Sequence, residues 1–202
     1  MRRVAVAGVG LAKVSEHWSM GLKELFAEAA LRALDDAGAE GFDSLYVANM
    51  CSAPLQGQLH LGAMMANALG ARGVHAARVE AGAASGGVRL NALVGGVEKM
   101  SDGLPEQVAA ALAMSEDQEY TAYTGVTRVG LNALLHRHYM DRFGASAEDV
   151  AMFAVRSHEH AVGSPHAQYP FKVSVDRISL RRWRRTRSTC SSAPGLGTAP
   201  RP

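Results

Sequence analysis

The chain has 202 residues, enough for one large domain or a domain with an excursion. Its 48% apolar content and balanced charge are those of a globular protein, and no run of about eighteen apolar residues marks a membrane span. The formal net charge of +2 hides an asymmetry: residues 179–202 carry six arginines and no acid, so the remainder is mildly acidic and offers no basic face for nucleic acid.

Met1–Val9 is basic at its start but turns into a short apolar strand rather than a signal peptide, so the cytoplasm is the expected compartment. Arg3–Val9 alternates and is rich in valine, which predicts a first strand closed by Gly8-Val9-Gly10. A lone G-x-G is weak evidence for a nucleotide, and Lys13 stands where the dinucleotide fingerprint needs its third glycine. Ser19 is placed to cap a helix running to about Ala37, with an apolar stripe of Leu22, Leu25, Phe26, Ala29, Ala33 and Leu34, and Gly38 ends it. Ser44–Asn49 reads as a second strand and Met50–Gln58 as a loop holding Cys51. Leu59–Leu69 reads as a helix of small residues and methionines, and Ala76–Ala81 as a third strand. Strand and helix alternate, which predicts a layered α/β fold with parallel strands.

The alternation then breaks. The next strand candidate is Ala92–Val97, and only Gly82–Asn91 lies between it and the third strand. A crossover between parallel neighbours takes a dozen or more residues, usually a helix, and each of the three glycines here costs about 1 kcal/mol in a helix interior. Either these two strands are not parallel neighbours, or a helix is missing. Ser101–Tyr123 is polar and mixed. Arg128–Phe143 reads as a helix. Ser146 caps another over Ala147–Val162, with Asp149 in its first turn and Pro165 beyond its end. Tyr169–Arg177 alternates again, as a returning strand would. The tail from Leu180 has no periodicity and the composition of a disordered segment.

The pivotal stretch is Val79–Gly87, V-E-A-G-A-A-S-G-G, an apolar approach into very small residues. Small residues suit a sharp strand-to-helix turn, a place where a helix N-terminus stabilises negative charge. Taken with Leu55-Gln56-Gly57-Gln58-x-His60-Leu61-Gly62-Ala63, Val94-Gly95-Gly96-Val97-Glu98-Lys99-Met100 and Ala167-Gln168-x-Pro170-Phe171-Lys172, it makes residues 1–178 resemble the N-terminal half and loop domain of a thiolase. The resemblance is to the archaeal acetyl-CoA acetyltransferase and sterol-carrier-protein-x-like branch. It implies a five-layer α-β-α-β-α fold built from two halves, dimers or tetramers, and acyl-CoA substrates. It also implies a cysteine acylated at a helix N-terminus, with a histidine and a second cysteine from the C-terminal half handling protons.

Four departures from the family pattern follow. The pattern V-E-A-A-C-A-S-G-G places its nucleophile on Ala83, whose methyl group cannot be acylated. Roughly a helix and part of a strand are absent between Asn91 and Ala92. The C-terminal proton-handling residues have no counterparts. The tail departs from the family after Arg177. GC-rich codons for R-W-R-R-T-R-S-T-C-S, read one base out of register, can spell M-A-E-D-P-V-D-L-L, which resembles the thiolase segment expected there; a frameshift near Ile178–Leu180 is therefore the reading for the tail, testable on the nucleotide sequence.

The remaining candidates each have a plainer reading. Cys51 is weighed as a substitute nucleophile, but no base stands near it in sequence, and a buried or semi-exposed bystander is the simpler assignment. Cys51 and Cys190 give neither a disulfide framework nor metal spacing. Ser85 faintly resembles a hydrolase elbow and more simply fills a tight turn. His136 with His138, and His158 with His160, are spaced so that they point to different faces of a helix, so no metal site is expected. His60 and His75 read as solvent-facing or structural, and Met64, Met65, Met114, Met140 and Met152 as core filling. By the resemblance, Tyr120–Gly125 and the methionines line an acyl channel. The arginine run could contact nucleic acid or anionic lipid, but as an out-of-frame product it carries no selected role.

The sequence thus predicts an α/β chain: an incomplete thiolase-like fold with a parallel-rich mixed sheet over 1–100, deleted near 91–92; a mostly helical loop domain and returning strand over 101–178; and a disordered basic tail over 179–202. The implied lineage activity is Claisen condensation or thiolysis of acyl-CoA thioesters, with this chain inactive. The alternative is a non-catalytic CoA-binding or assembly subunit of an intact thiolase complex. The expected substrate-binding residues are Ser85, Gly86, Gly87, Met114 and Tyr123, with no catalytic residue and no metal. Coenzyme A enters only as substrate moiety. Expected partners are a second copy, an intact thiolase, or a small zinc-ribbon/OB-fold companion, with no membrane and no nucleic acid.

Overall fold

In a computed structural model that describes residues 4–80 and 91–178, three five-residue strands form a parallel sheet: β1 (Ser44–Ala48), β2 (His75–Val79) and β3 (Ala92–Gly96). The order is β2-β1-β3, with Leu45 opposite Ala76 on one side and Leu93 on the other. β2 and β3 are parallel but not neighbours, since each pairs with β1 from its own side. The short link thus joins two parallel strands lying on either side of β1, a connection that needs a crossover as much as one between neighbours does, and its residues 81–90 lie outside the described residues.

One face of the sheet carries the core of the first unit, Met1–Gly103. Helix α1 (Leu22–Ala37) contributes Leu22, Phe26 and Ala30, and α3 (Leu61–Ala68) contributes Leu61, Met65 and Ala66. They pack on Leu45, Val47 and Leu93, which alternate to that face as strand geometry requires. Leu45, Val47, Leu61 and Met65 are wholly buried, each side chain contributing about 1.5–3 kcal/mol. Gly62 lets α3 settle on β2: a Cβ there would lie 2.8 Å from the Ala77 nitrogen and 2.9 Å from the Ala76 carbonyl carbon. The opposite face, with Tyr46, Ala77 and Val94 in register, is open among the described residues, and Val94 is 46% exposed.

The predicted strand over Arg3–Val9 is not formed in the described part of that segment. Residues 4–9 run without regular structure along α1, with Val4, Val6 and Val9 exposed. Their polar groups go to side chains instead of a strand: the Val9 amide donates to Asp36 at 2.8 Å, and Arg32 donates to the Leu11 carbonyl at 2.6 Å. Ser19 is not the cap of α1; Gly21 precedes it with no side-chain cap, while Gly38 ends it at φ 59°. The loop holding Cys51 contains a short helix, α2 (Ser52–Gln56). His60 adopts φ 55° before α3, which starts two residues later than the pattern suggests.

The second unit, Leu104–Pro202, is helical where described. The stretch expected to be merely polar and mixed contains α4 (Pro105–Ala113) and a 3-10 turn (Ala122–Thr124). Helix α5 (Arg128–Phe143) starts with the Thr127 hydroxyl accepting from the Gly130 amide and stops at Gly144, φ 66°. Helix α6 (Ala147–Ala161) is capped by Ser146. Ala151, Ala154 and Val155 of α6 pack with Ile178, Val173 and Val175. The returning strand over Tyr169–Arg177 is absent. Phe171 is drawn into a turn with Tyr169 at 2.9 Å and its carbonyl bonds the His158 ring at 2.9 Å, so neither is left for a ladder. Residues 175–178 are helical, and the Ser174 hydroxyl accepts from the Arg177 amide. No helix among the described residues is long and apolar enough to cross a membrane.

Candidate functional site

Because the three strands run the same way and end in register (Ala48 opposite Val79 and Gly96), the residues that follow them converge on one edge. In open α/β sheets this carboxyl edge is where ligands are held. Asn49, Met50 and Cys51 arrive from β1, Glu80 from β2, and Val97 and Glu98 from β3. Ala48, Asn49, Met50, Glu80, Gly96, Val97 and Glu98 line a cleft of about 320 Å³.

The edge is organised around the turn after β1. Asn49 is 4% exposed, and its amide nitrogen donates to the Val97 carbonyl at 2.8 Å and to Glu98 Oε2 at 3.0 Å. Its Oδ1 accepts from the Ser52 amide at 3.1 Å. The Met50 amide donates to Glu98 Oε1, and the Cys51 amide donates to the same carboxylate at 3.1 Å. From the other side Arg78 donates to the Asn49 carbonyl at 3.1 Å and to the Met50 carbonyl at 3.4 Å, and pairs with Glu80. Behind the turn Lys99 is buried and pairs with Asp102, while Gln56 donates to the Lys99 carbonyl.

The expected site residues fare differently. Ala83, Ser85, Gly86 and Gly87 lie outside the described residues, as do the link around position 91 on its N-terminal side and the basic tail. Val79, which leads into that small-residue segment, ends β2 at the carboxyl edge. Met114 and Tyr123 belong to the second unit and are exposed, Tyr123 by 83%. Met114 and Met152 are therefore not core filling, whereas Met65 is. Cys51 is 2% exposed, in keeping with a buried bystander. His60 and His75 are exposed. His158 bonds the Phe171 carbonyl and stacks on that ring at 5.0 Å. Among the described residues no group of three or more His, Cys, Asp or Glu side chains is gathered to hold a metal.

The second unit has an open groove of about 530 Å³ whose lining includes Tyr139, Phe143, Asp149, Met152, Phe153 and Arg156. The Asp149 carboxyl is held below the usual aspartate value, first by the Ser146 hydroxyl and then by the Ser146 backbone amide. Both contacts belong to the α6 cap. Sequence reasoning missed Asn49, Arg78 and Glu98. Their signal is positional, each lying at or just past a strand end, and it becomes readable only with strand order and register.

Three parallel strands delivering their ends to one cleft, with the small-residue segment of the sequence following β2, define an α/β protein with its candidate site at the carboxyl edge of the sheet. The family description "Thiolase, N-terminal domain" matches residues 6–178, and the chain belongs to the thiolase family. The acetyl-CoA acetyltransferase of Methanothermobacter thermautotrophicus is 37% identical over 193 residues, covering 88% of this chain and 50% of that protein. The acetyl-CoA acetyltransferase of Methanocaldococcus jannaschii is 35% identical, covering 88% and 49%. A benzoylsuccinyl-CoA thiolase subunit, BbsB, of Thauera aromatica is 28% identical, covering 88% and 48%. The chain thus spans about half the length of the curated relatives it matches. A solved structure titled Ltp2-ChsH2(DUF35) aldolase shares the fold at TM-score 0.62 and 21% identity, covering 87% of this chain and 48% of that one.

Proposed function

We propose that this chain is an acetyl-CoA acetyltransferase-like member of the thiolase family that does not itself transfer acyl groups. One observation carries the reading: Ala83 stands where the family pattern has its cysteine. Covalent catalysis needs a lone pair on an atom of lowered pKa, and a methyl group has none. Cys51 is not taken as its replacement, because the residue is 2% exposed and closed to a substrate thioester. In this reading acyl-CoA remains the lineage's substrate class, coenzyme A is a substrate moiety and not a resident cofactor, and the location is cytoplasmic. The test is thiolysis of acetoacetyl-CoA by the purified chain. No turnover above the uncatalysed rate is expected; turnover at ordinary enzyme rates overturns the reading.

A second reading is a non-catalytic CoA-binding or assembly subunit. Parallel sheets are ordinarily covered on both faces, yet the face with Tyr46, Ala77 and Val94 is open among the described residues. One relative is itself described as a subunit. The partners in this reading are a second copy, an intact thiolase, or a zinc-ribbon/OB-fold companion. Co-purification with an intact thiolase supports it, and a monomer that captures none of the three leaves the first reading alone.

A further inference from the structure

The turn after β1 is gripped from both sides in a way that simple chain continuity does not require. Two consecutive peptide units are involved. In the first, the Asn49 carbonyl accepts from Arg78 and the Met50 amide donates to Glu98. In the second, the Met50 carbonyl accepts from Arg78 and the Cys51 amide donates to Glu98. Both peptide dipoles therefore point their oxygens at a guanidinium from β2 and their N–H groups at a carboxylate from the exit of β3. Hydrogen bonds with a charged partner are roughly twice as strong as neutral ones. The planar guanidinium presents its donors in a fixed fork, which suits two successive carbonyls. Glu80 holds Arg78 from its outer side, and Asn49 ties Glu98 to the Val97 carbonyl and the Ser52 amide.

We infer that Arg78 and Glu98 form a clasp, a pair of positioning residues that locks the Asn49–Cys51 turn and keeps the Cys51 thiol closed to reagents. The clasp joins the two edge strands across the central one, at the wall of the cleft. It makes that wall rigid and holds the next residue, the buried Cys51, away from thiol chemistry. It does not depend on whether the chain turns over, since its readouts are alkylation and amide exchange.

The test uses the full chain and iodoacetamide under native conditions, with Cys51 followed by peptide mass spectrometry. In the wild type, Cys51 alkylates far more slowly than the same peptide in denaturant, and the Met50 and Cys51 amides exchange as slowly as the β1 ladder. Glu98→Ala removes one hand of the clasp; Cys51 alkylation then rises about tenfold or more, matching the loss of charged hydrogen bonds. Glu98→Gln, which keeps an accepting oxygen, gives an intermediate rise. In both variants the Met50 and Cys51 amides lose protection while those of Leu45 and Val47 keep theirs. Equal loss along β1 means general loosening and overturns the clasp, as does unchanged Cys51 alkylation in Glu98→Ala. If Glu98→Ala does not fold, Glu98→Gln and the wild-type exchange pattern decide: fast exchange at Met50 and Cys51 in the wild type overturns the inference.

Discussion

Asn49 and Glu98 face each other as donor and acceptor, and that polarity can be reversed. Asn49→Asp keeps the side-chain shape and the Oδ1 that accepts from Ser52. It loses the donations to the Val97 carbonyl and to Glu98. These are worth about 1 kcal/mol for the neutral bond and about 2 kcal/mol for the charged one. It also sets two carboxylates about 3 Å apart, a repulsion of roughly 1.4 kcal/mol in bulk water and roughly 5.5 kcal/mol at an effective dielectric of about 20. Glu98 is exposed, so the lower end applies and about 2 kcal/mol is the working figure. The total, about 5 kcal/mol, is comparable to the stability of a whole domain. Glu98→Gln alone costs about 1–2 kcal/mol through lost charge assistance. In the double variant the introduced amide nitrogen at position 98 takes the place of Oε2 and donates to the introduced carboxylate at position 49, while the remaining oxygen at 98 still accepts from Met50 and Cys51. The repulsion vanishes and one bond returns, so the pair costs about 3 kcal/mol, well below the sum of the singles. Urea unfolding followed by far-UV circular dichroism reads this directly. Asn49→Asp alone loses native signal at low urea, and adding Glu98→Gln restores it. A double variant no more stable than Asn49→Asp refutes the reasoning.

Gly62→Ala drives a methyl into the backbone of β2, where nothing can swing aside. Overpacking of about 3 kcal/mol, less about 1 kcal/mol of helix propensity, leaves a loss of about 2 kcal/mol in urea unfolding; an unchanged midpoint refutes the seating of α3 on β2. The Asp149 carboxyl sits below the ordinary value of 3.8 when folded, so its contribution is full above that pH and is lost as pH falls through the depressed folded value. Ser146→Ala removes the hydroxyl behind this shift, and carboxyl titration by NMR should return Asp149 toward the ordinary value; no movement contradicts the cap assignment. Val94→Lys on the open sheet face costs under about 0.5 kcal/mol in the isolated chain but abolishes capture of a partner that covers this face. Unimpaired capture removes the face from any interface.

Helices α5 and α6 were legible because their signals are local. Apolar spacing within Arg128–Phe143 marks the first, and Ser146 with Asp149 three residues on opens the second. The valines of the N-terminal segment say "extended" but cannot say what they pair with, and the Val9 amide is taken by Asp36, 27 positions away. Tyr169–Arg177 misled for the same reason, its backbone being claimed by a turn and by His158. Glu98 was visible only as a letter in a family motif. Its partners, Asn49, Met50 and Cys51, lie in the turn after β1 nearly fifty positions earlier, so the clasp could not be assembled before strand order and register were known.

The central claim is that no group on this chain accepts an acyl unit. Incubation with acetyl-CoA, followed by intact mass and peptide mapping, tests it most directly. The account predicts no acetyl adduct on the wild-type chain, at Cys51, at Ser85 or elsewhere; a stoichiometric thioester or ester on any residue contradicts it.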